Sequence, residues 1–520
     1  MPRIRIDNRE VEVPAGATVL DAARKLGIEI PTLCHLDGRP ALTSCMVCVV
    51  KVAGRGWLVP ACAFRAEDGM EVESETEPVL RARRAALELL LSDHVGDCEA
   101  PCRLACPAGA NIPLMIRQIA DGRLGEALMT AREGLVLPGV LGRICTSPCQ
   151  RACRRADADA AVSIRLLHGG LAEAAVASGS SQPPARKEPT GKSVAIVGAG
   201  PAGLAAAQRL LADGHACTVF DDHDQPGGML RYGLDEARLP RDLLDAEIAV
   251  IEQLGARFRC GVRVGADVSL RELRDDFGAV FLAPGRLDAD QARRLGVEAT
   301  DKGITIDPAT FQTPVPGVFA GGDATRPRKL AVRAVAHGKA AAAGIGQLLA
   351  GSPVTAPARP FNSRMGKLDE GELAEFLAGA ADYGPVSPAG GQAGLADEQA
   401  RREARRCLHC DCRKAEDCLL RIHATACGAR QQRPPERRRF TRQSGHPTIV
   451  FEPGKCISCG MCIRIAADAG EELGLTFVGR GFDMRLAVPF ARPLGEGLAK
   501  AAAECVKACP TAALAFKADT

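Results

Sequence analysis

Aromatic side chains are scarce in this 520-residue chain, at 3% with one tryptophan and two tyrosines. That scarcity argues against stacking on nucleic-acid bases and against an interfacial aromatic belt. Long apolar runs are lacking too: no stretch approaches the roughly 20 residues that a membrane-spanning helix needs. The opening Met1-Pro2-Arg3-Ile4-Arg5 has no apolar core of a secretory signal. The expectation is a cytoplasmic protein with no membrane span and no nucleic-acid partner. A net charge of +3 selects no partner class. Cysteine, finally, is almost missing from one long stretch, since only Cys217 and Cys260 lie between Cys153 and Cys407.

The other 20 of the 22 cysteines fall into five tight groups. A chain of 520 residues buries an ample core without disulfides, and C-x-x-C spacings suit metal or iron–sulfur ligation better. Composition, 46% hydrophobic and 25% charged, is that of an ordinary globular protein, and the length implies three or four domains. The fold class expected is multidomain, mixing α+β and α/β.

The alternating Ile4-Arg5-Ile6 and Val11-Glu12-Val13 predict a hairpin, and Thr18 to Leu26 reads as helical. Cys34, Cys45, Cys48 and Cys62 then follow in the spacing C-x10-C-x2-C-x13-C. Two thiolates per iron are what a [2Fe–2S] rhomb takes, and one long loop supplies all four. A zinc site fits less well, because this is not the paired-knuckle spacing. The stretch resembles the β-grasp ferredoxin domain that opens the large iron–sulfur subunit of NADH:quinone oxidoreductase and iron-only hydrogenases, which implies a [2Fe–2S] domain over 1–78.

The next cysteines are Cys98, Cys102 and Cys106-Pro107, then Cys145, Cys149 and Cys153, with helical spacing from Ile112 to Leu137 between them. Residues 85 to 350 resemble the small subunit of NADPH-dependent glutamate synthase and the N-terminal half of dihydropyrimidine dehydrogenase. That resemblance implies a helical domain over 79–177 with two [4Fe–4S] clusters. Cys106, Cys145, Cys149 and Cys153 match one cluster. Cys98 and Cys102 match the other, but His94 stands at the family's first cysteine and His168 at its Gln or Glu. Either this His, Cys, Cys, His set holds a cluster, or the histidines face solvent and the cluster is lost.

Past a Pro/Ser-rich linker, Val194-Ala195-Ile196-Val197 runs into Gly198-Ala199-Gly200-Pro201-Ala202-Gly203, a strand, glycine turn and helix start of dinucleotide type. Asp221 sits at the distance expected for a ribose contact. Pro226-Gly227-Gly228-Met229-Leu230 and Gly321-Gly322-Asp323 resemble the FAD contacts of the glutamate-synthase family. The resemblance implies an FAD domain over 191–350, with Gly228 and Leu230 at the flavin nucleotide, Asp323 on the ribityl chain and Leu330 opening the helix under the flavin ring. The family places a whole NADPH domain after Pro284-Gly285; here only Arg286 to Gly321 stand in its place, too few for a second nucleotide fold. FAD is therefore expected and NAD(P)H, in the family manner, is not. No side chain near these motifs stands out as an acid or base, so no catalytic residue is assigned. Cys217 and Cys260 read as core packing.

A Gly/Ala/Pro-rich stretch to Gly394 leads to a short helix, Asp397 to Arg406, and to Cys407, Cys410, Cys412, Cys418 and Cys427 within a segment spanning 395–445. The first four of these cysteines are favoured for a [4Fe–4S] cluster, with zinc as the rival. Arg401, Arg402, Arg405, Arg406, Arg437, Arg438 and Arg439 form either a docking face for an acidic partner or a solvated face. The last segment, 446–520, resembles a two-cluster bacterial ferredoxin reduced to one [4Fe–4S] site at Cys456, Cys459, Cys462 and Cys509. Ala466, Ala499 and Ala502 stand where cysteines of the second site belong, and Cys505 is read as a buried remnant.

Together these modules resemble an FAD- and iron–sulfur-containing electron-transfer subunit, moving electrons between a catalytic partner, such as a formate dehydrogenase or hydrogenase, and a soluble carrier. The competing readings are an NAD(P)H-dependent reductase of the glutamate-synthase type, a self-sufficient flavoenzyme acting on a small substrate, and a non-redox scaffold.

Overall fold

In a computed structural model, residues 1–327, 330–387, 395, 397–432 and 437–517 are described. Residues 388–394, the end of the Gly/Ala/Pro-rich stretch, lie outside them. The chain divides into two compact units: Met1–Ala100 with Arg359–Gly379 and Cys410–Thr520, and Pro101–Ala358 with Ala380–His409.

The first unit opens with strands β1 (Arg3–Ile6) and β2 (Arg9–Glu12), joined as an antiparallel hairpin. Asp7 and Asn8 turn it with φ of 45° and 66°, the conformation that matches strand twist. Ile4 and Ile6 point inward while Arg3 and Arg5 face out. The helix Val19–Lys25 is started by Thr18, whose hydroxyl accepts from the Asp21 N–H at 3.1 Å while the Asp21 carboxylate accepts the Thr18 N–H at 2.8 Å. Strands β3 (Val49–Val52), β4 (Leu58–Pro60) and β5 (Glu71–Glu73) complete a sheet of order β2-β1-β5-β3-β4. Only the β1–β5 pairing is parallel.

The second unit begins with helices. The expected run from Ile112 to Leu137 forms two, Ile112–Ala120 and Leu124–Leu135, because Gly122 turns the chain at a φ of 80°. Helices Pro138–Ile144 and Ile164–Ala177 cross at Gly142 and Gly169, where a Cβ on Gly142 would lie 2.5 Å from the Gly169 Cα. A parallel sheet follows, built from β6 (Ser193–Val197), β7 (Ala216–Phe220), β8 (Arg257–Arg259) and β9 (Ala279–Leu282). Beyond β9 come a helix, Ala289–Arg294, and a two-stranded antiparallel pair, β10 (Ala299–Thr300) and β11 (Gly303–Ile304). Strand β12 (Val318–Ala320) then returns to the sheet, whose order is β12-β9-β6-β7-β8. Between β9 and β12 there is thus one short helix and one small hairpin, and no parallel sheet.

The first unit closes with β13 (Ile449–Phe451), β14 (Thr476–Val478), β15 (Arg485–Ala487) and β16 (Leu514–Phe516), paired β13–β16 and β14–β15, both antiparallel. Ala466, Leu498, Ala502 and Cys505 share one apolar core there.

Four of the seven arginines have acidic partners within the chain. Arg406 is fully buried and bonded to Glu403 at 2.7 Å and Asp159 at 3.1 Å. Arg437 is paired with Glu372, Arg438 with Asp93 and Arg439 with Asp369. Of the seven, Arg402 and Arg405, on the helix Asp397–Ala404 and just after it, and Arg438 and Arg439 are exposed.

Glu247, on the helix Arg241–Gln253, ties the sheet-bearing half of the second unit to its helical half. Its carboxylate accepts the N–H groups of Gly139 at 2.9 Å and Val140 at 2.8 Å, two of the unpaired donors at the start of the helix leading to Cys145. Burial pushes its pKa up from 4.5 to about 7 despite those bonds. The native state therefore binds this proton more tightly than the unfolded chain, and stability from Glu247 falls as pH rises from 4.5 to about 7. Glu247→Gln should flatten that part of the pH–stability curve, measured by denaturant unfolding. It should also cost about 1–3 kcal/mol, since one amide oxygen then serves two donors.

Candidate functional site

In the first unit the four N-terminal thiols converge as two pairs, Cys34–Cys45 and Cys48–Cys62, each with sulfurs 3.4 Å apart. All four are buried, and the hydrogen bond from its neighbour draws Cys34 down to about 5 and Cys48 down to about 7. The same bonds, together with burial, push the partners Cys45 and Cys62 far up, so each pair offers one thiolate readily and a metal would be needed to ionise the second.

The C-terminal cysteines Cys456, Cys459, Cys462 and Cys509 line one apolar cavity with Phe451, Phe477 and Leu486. Burial pushes Cys456 up to about 11 and Cys459 up to about 12. Bare thiolates are thus disfavoured there, and a metal cation is what would let them ionise. Backbone donors already point at the sulfurs, Ser458 N–H to Cys456 Sγ at 3.4 Å and Leu514 N–H to Cys509 Sγ at 3.5 Å. Cys505 stays out of this set: it is fully buried with its sulfur 3.6 Å from the Cys462 carbonyl.

In the second unit Cys106, Cys145 and Cys149 line a cavity of the same kind. Ser147 N–H points at Cys145 Sγ at 3.4 Å, and burial pushes Cys149 up to about 12. The sequence reading set His168 with Cys98 and Cys102. The structure puts it on the wall of the Cys106 cavity, with Nδ1 2.9 Å from the Pro138 carbonyl and burial holding it down at about 4. Cys98 has neighbours that spacing did not reveal, Cys412 and Cys418. Cys102, Cys153 and Cys407 pack against the large core of the second unit, and the boundary between the units falls between His409 and Cys410.

One backbone device recurs in these loops. Met46, Ser147, His409 and Ser458 all have φ between 47° and 54°, and each lies inside a cysteine loop. None is glycine, so each costs strain of the order of 1 kcal/mol that the loop must recover by what it binds or packs. At Ser147 and Ser458 the turn aims an N–H at a sulfur two residues back. Cys407-Leu408-His409-Cys410 has its left-handed residue at the same place as Cys456-Ile457-Ser458-Cys459.

The glycine motifs of the second unit meet at one spot. Gly198 has a φ of 100°, and a Cβ there would stand 2.2 Å from the Ala283 carbonyl oxygen. Gly228 lies directly on Gly200, its would-be Cβ 2.9 Å from the Gly200 Cα, and the would-be Cβ of Gly322 is 3.0 Å from that of Ala202. Gly200 itself opens onto free space and precedes the helix Pro201–Ala212, so bare backbone N–H groups can approach an anion. Asp221 Oδ2 accepts the Ala199 N–H at 2.6 Å and Oδ1 the His223 N–H at 3.0 Å, so this carboxylate braces the turn. Leu230 is buried; Asp323 and Leu330 are half-buried, Leu330 directly before the helix Ala331–Leu349. A pyrophosphate-bearing nucleotide fits this cradle.

Comparison with known proteins covers three segments of the chain. Residues 2–77 match the model of a 2Fe-2S iron-sulfur cluster binding domain, 91–179 that of dihydropyrimidine dehydrogenase domain II with its 4Fe-4S cluster, and 196–253 an NAD(P)-binding Rossmann-like domain. The beta subunit of an NADPH-Fe(3+) oxidoreductase from Geobacter sulfurreducens is 40% identical over 206 residues, 39% of this chain and 30% of that protein. The beta subunit of an NADP(+)-dependent formate dehydrogenase from Moorella thermoacetica is 40% identical over 225 residues, 39% of this chain and 31% of its own length. The small chain of glutamate synthase [NADPH] from Mycobacterium tuberculosis is 40% identical over 190 residues, 36% and 39% of the two chains. The chain is similar over about a third of its length to oxidoreductase subunits. It is a multidomain α/β protein with 2Fe-2S, 4Fe-4S and Rossmann-like domains, and the match spans about a third of the length of these relatives. Among the described residues no helix is long and apolar enough to cross a membrane.

Two side chains that motif reading passed over, Lys339 and His337, and Val332 beside Leu330 link these parts of the second unit. Lys339 Nζ donates to the Ala108 and Gly134 carbonyls at 2.9 and 2.7 Å, and burial pushes it down to about 8 although Cys106 favours its charge. His337 Nδ1 accepts the Gly322 N–H at 3.2 Å. Val332, two residues past Leu330, lines the Cys106 cavity and so joins the helix Ala331–Leu349 to a cysteine group. No spacing rule marks Lys339 or His337, because each acts through a fold contact more than 14 residues away. The tightest glycine is Gly203, whose added Cβ would fall 1.9 Å from the Gly198 carbonyl oxygen. Gly203→Ala should lower the unfolding free energy of the full chain by about 1–3 kcal/mol, the range for overpacking, read by denaturant titration.

Proposed function

We propose that this chain is an FAD- and iron–sulfur-containing electron-transfer subunit of a larger oxidoreductase complex, moving electrons between a catalytic partner and a soluble carrier. The relatives bear the names of subunits of NADPH-Fe(3+) oxidoreductase and formate dehydrogenase complexes, which supports the class. The observation that carries the reading is one apolar wall in the first unit, shared by Leu33, Cys34, Cys45, Cys418, Ile457 and Cys459. Electron tunnelling falls steeply with distance, and this wall makes neighbours of cysteine groups hundreds of residues apart. Cys34 also lies close enough to Cys459 for its charge to hold that thiol's proton more tightly.

In this reading Cys34, Cys45, Cys48 and Cys62 ligate a [2Fe–2S] centre in a β-grasp domain. Cys456, Cys459, Cys462 and Cys509 ligate a [4Fe–4S] centre in a ferredoxin-like domain, and Cys106, Cys145, Cys149 and Cys153 another. Gly198, Gly200, Gly203, Gly228 and Gly322 give FAD its backbone cradle, Asp221 braces it, and Asp323 and Leu330 border it. Bound flavin supplies exchange between electron pairs and single electrons, which clusters carry one at a time. The protein's part is to hold these groups beside one another and keep water out: Val332 and Lys339 set the flavin-side helix against the Cys106 cavity. NAD(P)H does not enter in the family manner, since the hairpin of β10 and β11 and one six-residue helix replace a second nucleotide fold.

Anaerobic titration of the reconstituted full chain tests this. NADPH and NADH should leave the visible flavin band oxidised, while dithionite bleaches it. Prompt bleaching by either nucleotide would favour the NAD(P)H-dependent reductase, and absence of flavin and iron from the reconstituted chain would sink the electron-transfer reading.

A further inference from the structure

Three buried thiols share no compact spacing, and the first unit brings them to one place from distant parts of the chain. Cys412 donates its N–H to the Cys98 carbonyl at 3.2 Å. Cys98, Cys412 and Cys418 are 7%, 8% and 6% exposed, and Cys98 and Cys418 both feel the charge of Cys412. The loop before Cys98 is held from several sides. Ser363 donates its N–H to Cys98 Sγ at 3.4 Å and its hydroxyl to the Gly96 carbonyl at 2.8 Å. Asp97 accepts the Met365 N–H at 2.7 Å, and Val95 donates to the Gly454 carbonyl at 2.7 Å.

Lys455 lies across Gly96, where a Cβ would stand 2.5 Å from the Lys455 Cε. It is 3% exposed, ion-paired with Glu452, and its charge reaches Cys98, Cys412 and Cys418. On another side Cys418 Sγ is 3.6 Å from the Pro510 carbonyl, next to Cys509, and Leu420 N–H donates to that carbonyl at 3.2 Å.

We propose that Cys98, Cys412 and Cys418 together hold one iron–sulfur cluster of the cubane class, [3Fe–4S] or [4Fe–4S], with Lys455 as its buried counter-charge. The proposal rests on the electron-transfer reading and deepens it by adding a centre beside the Cys456 group. Three thiolates on a cluster core carry net negative charge into an apolar interior, and a buried ammonium offsets that cost. An N–H aimed at Cys98 Sγ repeats the arrangement at Cys145, Cys456 and Cys509. Structural zinc closes a tetrahedron of four ligands, whereas three thiolates suffice for a [3Fe–4S] centre. Contiguous spacing had grouped Cys412 and Cys418 with Cys407; the structure groups them with Cys98.

The test is iron content and low-temperature electron paramagnetic resonance of the reconstituted full chain, in oxidised and dithionite-reduced states, for Cys98→Ala, Cys418→Ala and Cys407→Ala. Cys98→Ala and Cys418→Ala should each lose the same signal and about three or four iron atoms per chain, while Cys407→Ala keeps that signal. An oxidised-state signal identifies [3Fe–4S], and a reduced-state one [4Fe–4S]. The [2Fe–2S] signal, visible at higher temperature, reports that each variant has folded. Should a cysteine variant fail that control, Lys455→Gln serves instead: it should lower the midpoint potential of one cubane signal and leave the others in place. The grouping is overturned if Cys407→Ala and Cys418→Ala lose one signal that Cys98→Ala keeps, if the three thiols hold zinc, or if Lys455→Gln moves no potential. A wild-type chain with no iron–sulfur signal at all would overturn the electron-transfer reading instead.

Discussion

A thiolate carried into an apolar interior loses its water, and the cysteines of this chain pay that penalty in groups. Burial pushes Cys149, Cys418 and Cys459 each up to about 12, far above a thiol in water. Left bare, these side chains would be inert protonated packing. Their convergence, with backbone N–H groups aimed at the sulfurs and left-handed residues in the loops, has a physical purpose only if positive metal centres stabilise the ionised form. Metal binding and folding are then linked, because the same contacts that assemble the ligands close the core.

That linkage explains the path of the chain. The first unit is built from three separated stretches, and the wall formed by Leu33, Cys34, Phe361, Cys418 and Cys459 is where they meet. The second unit solves a parallel problem with glycine. At Gly198, Gly203, Gly228 and Gly338 the backbones approach so closely that a methyl group would collide, and this brings the cradle, the helix Ala331–Leu349 and the Cys106 cavity into one packed body. Glu247 and Lys339 fasten the join with buried charge directed at backbone groups.

Much of this was legible in the sequence. The hairpin at β1 and β2, the capped helix after Thr18, the glycine turn after β6 and the shortened stretch between β9 and β12 follow from local patterns whose determinants lie within a few residues of each other. The cysteine groups that line cavities, Cys106 with Cys145 and Cys149 and Cys456 with Cys462 and Cys509, share a recognisable spacing. What spacing could not convey was long-range return. Cys98 looked like a partner of Cys102, four residues on, yet its thiol neighbours Cys412 and Cys418 are more than 300 residues away. His168 looked like a ligand for that same set, yet the helix Ile164–Ala177 carries it to the Cys106 cavity. The arginine clusters read as a surface because charge is usually exposed; Arg406 is buried because Glu403 and Asp159 satisfy it.

The central claim is that the first unit sets its metal centres side by side as one conducting row. The most direct measurement is electron paramagnetic resonance during stepwise reduction of the full chain, following the [2Fe–2S] signal as the other centres are reduced. If the Cys34 and Cys459 groups are neighbours with metal bound, that signal should broaden or split once the adjacent centre becomes paramagnetic. Signals that simply add, with the [2Fe–2S] line shape unchanged at full reduction, would contradict the account.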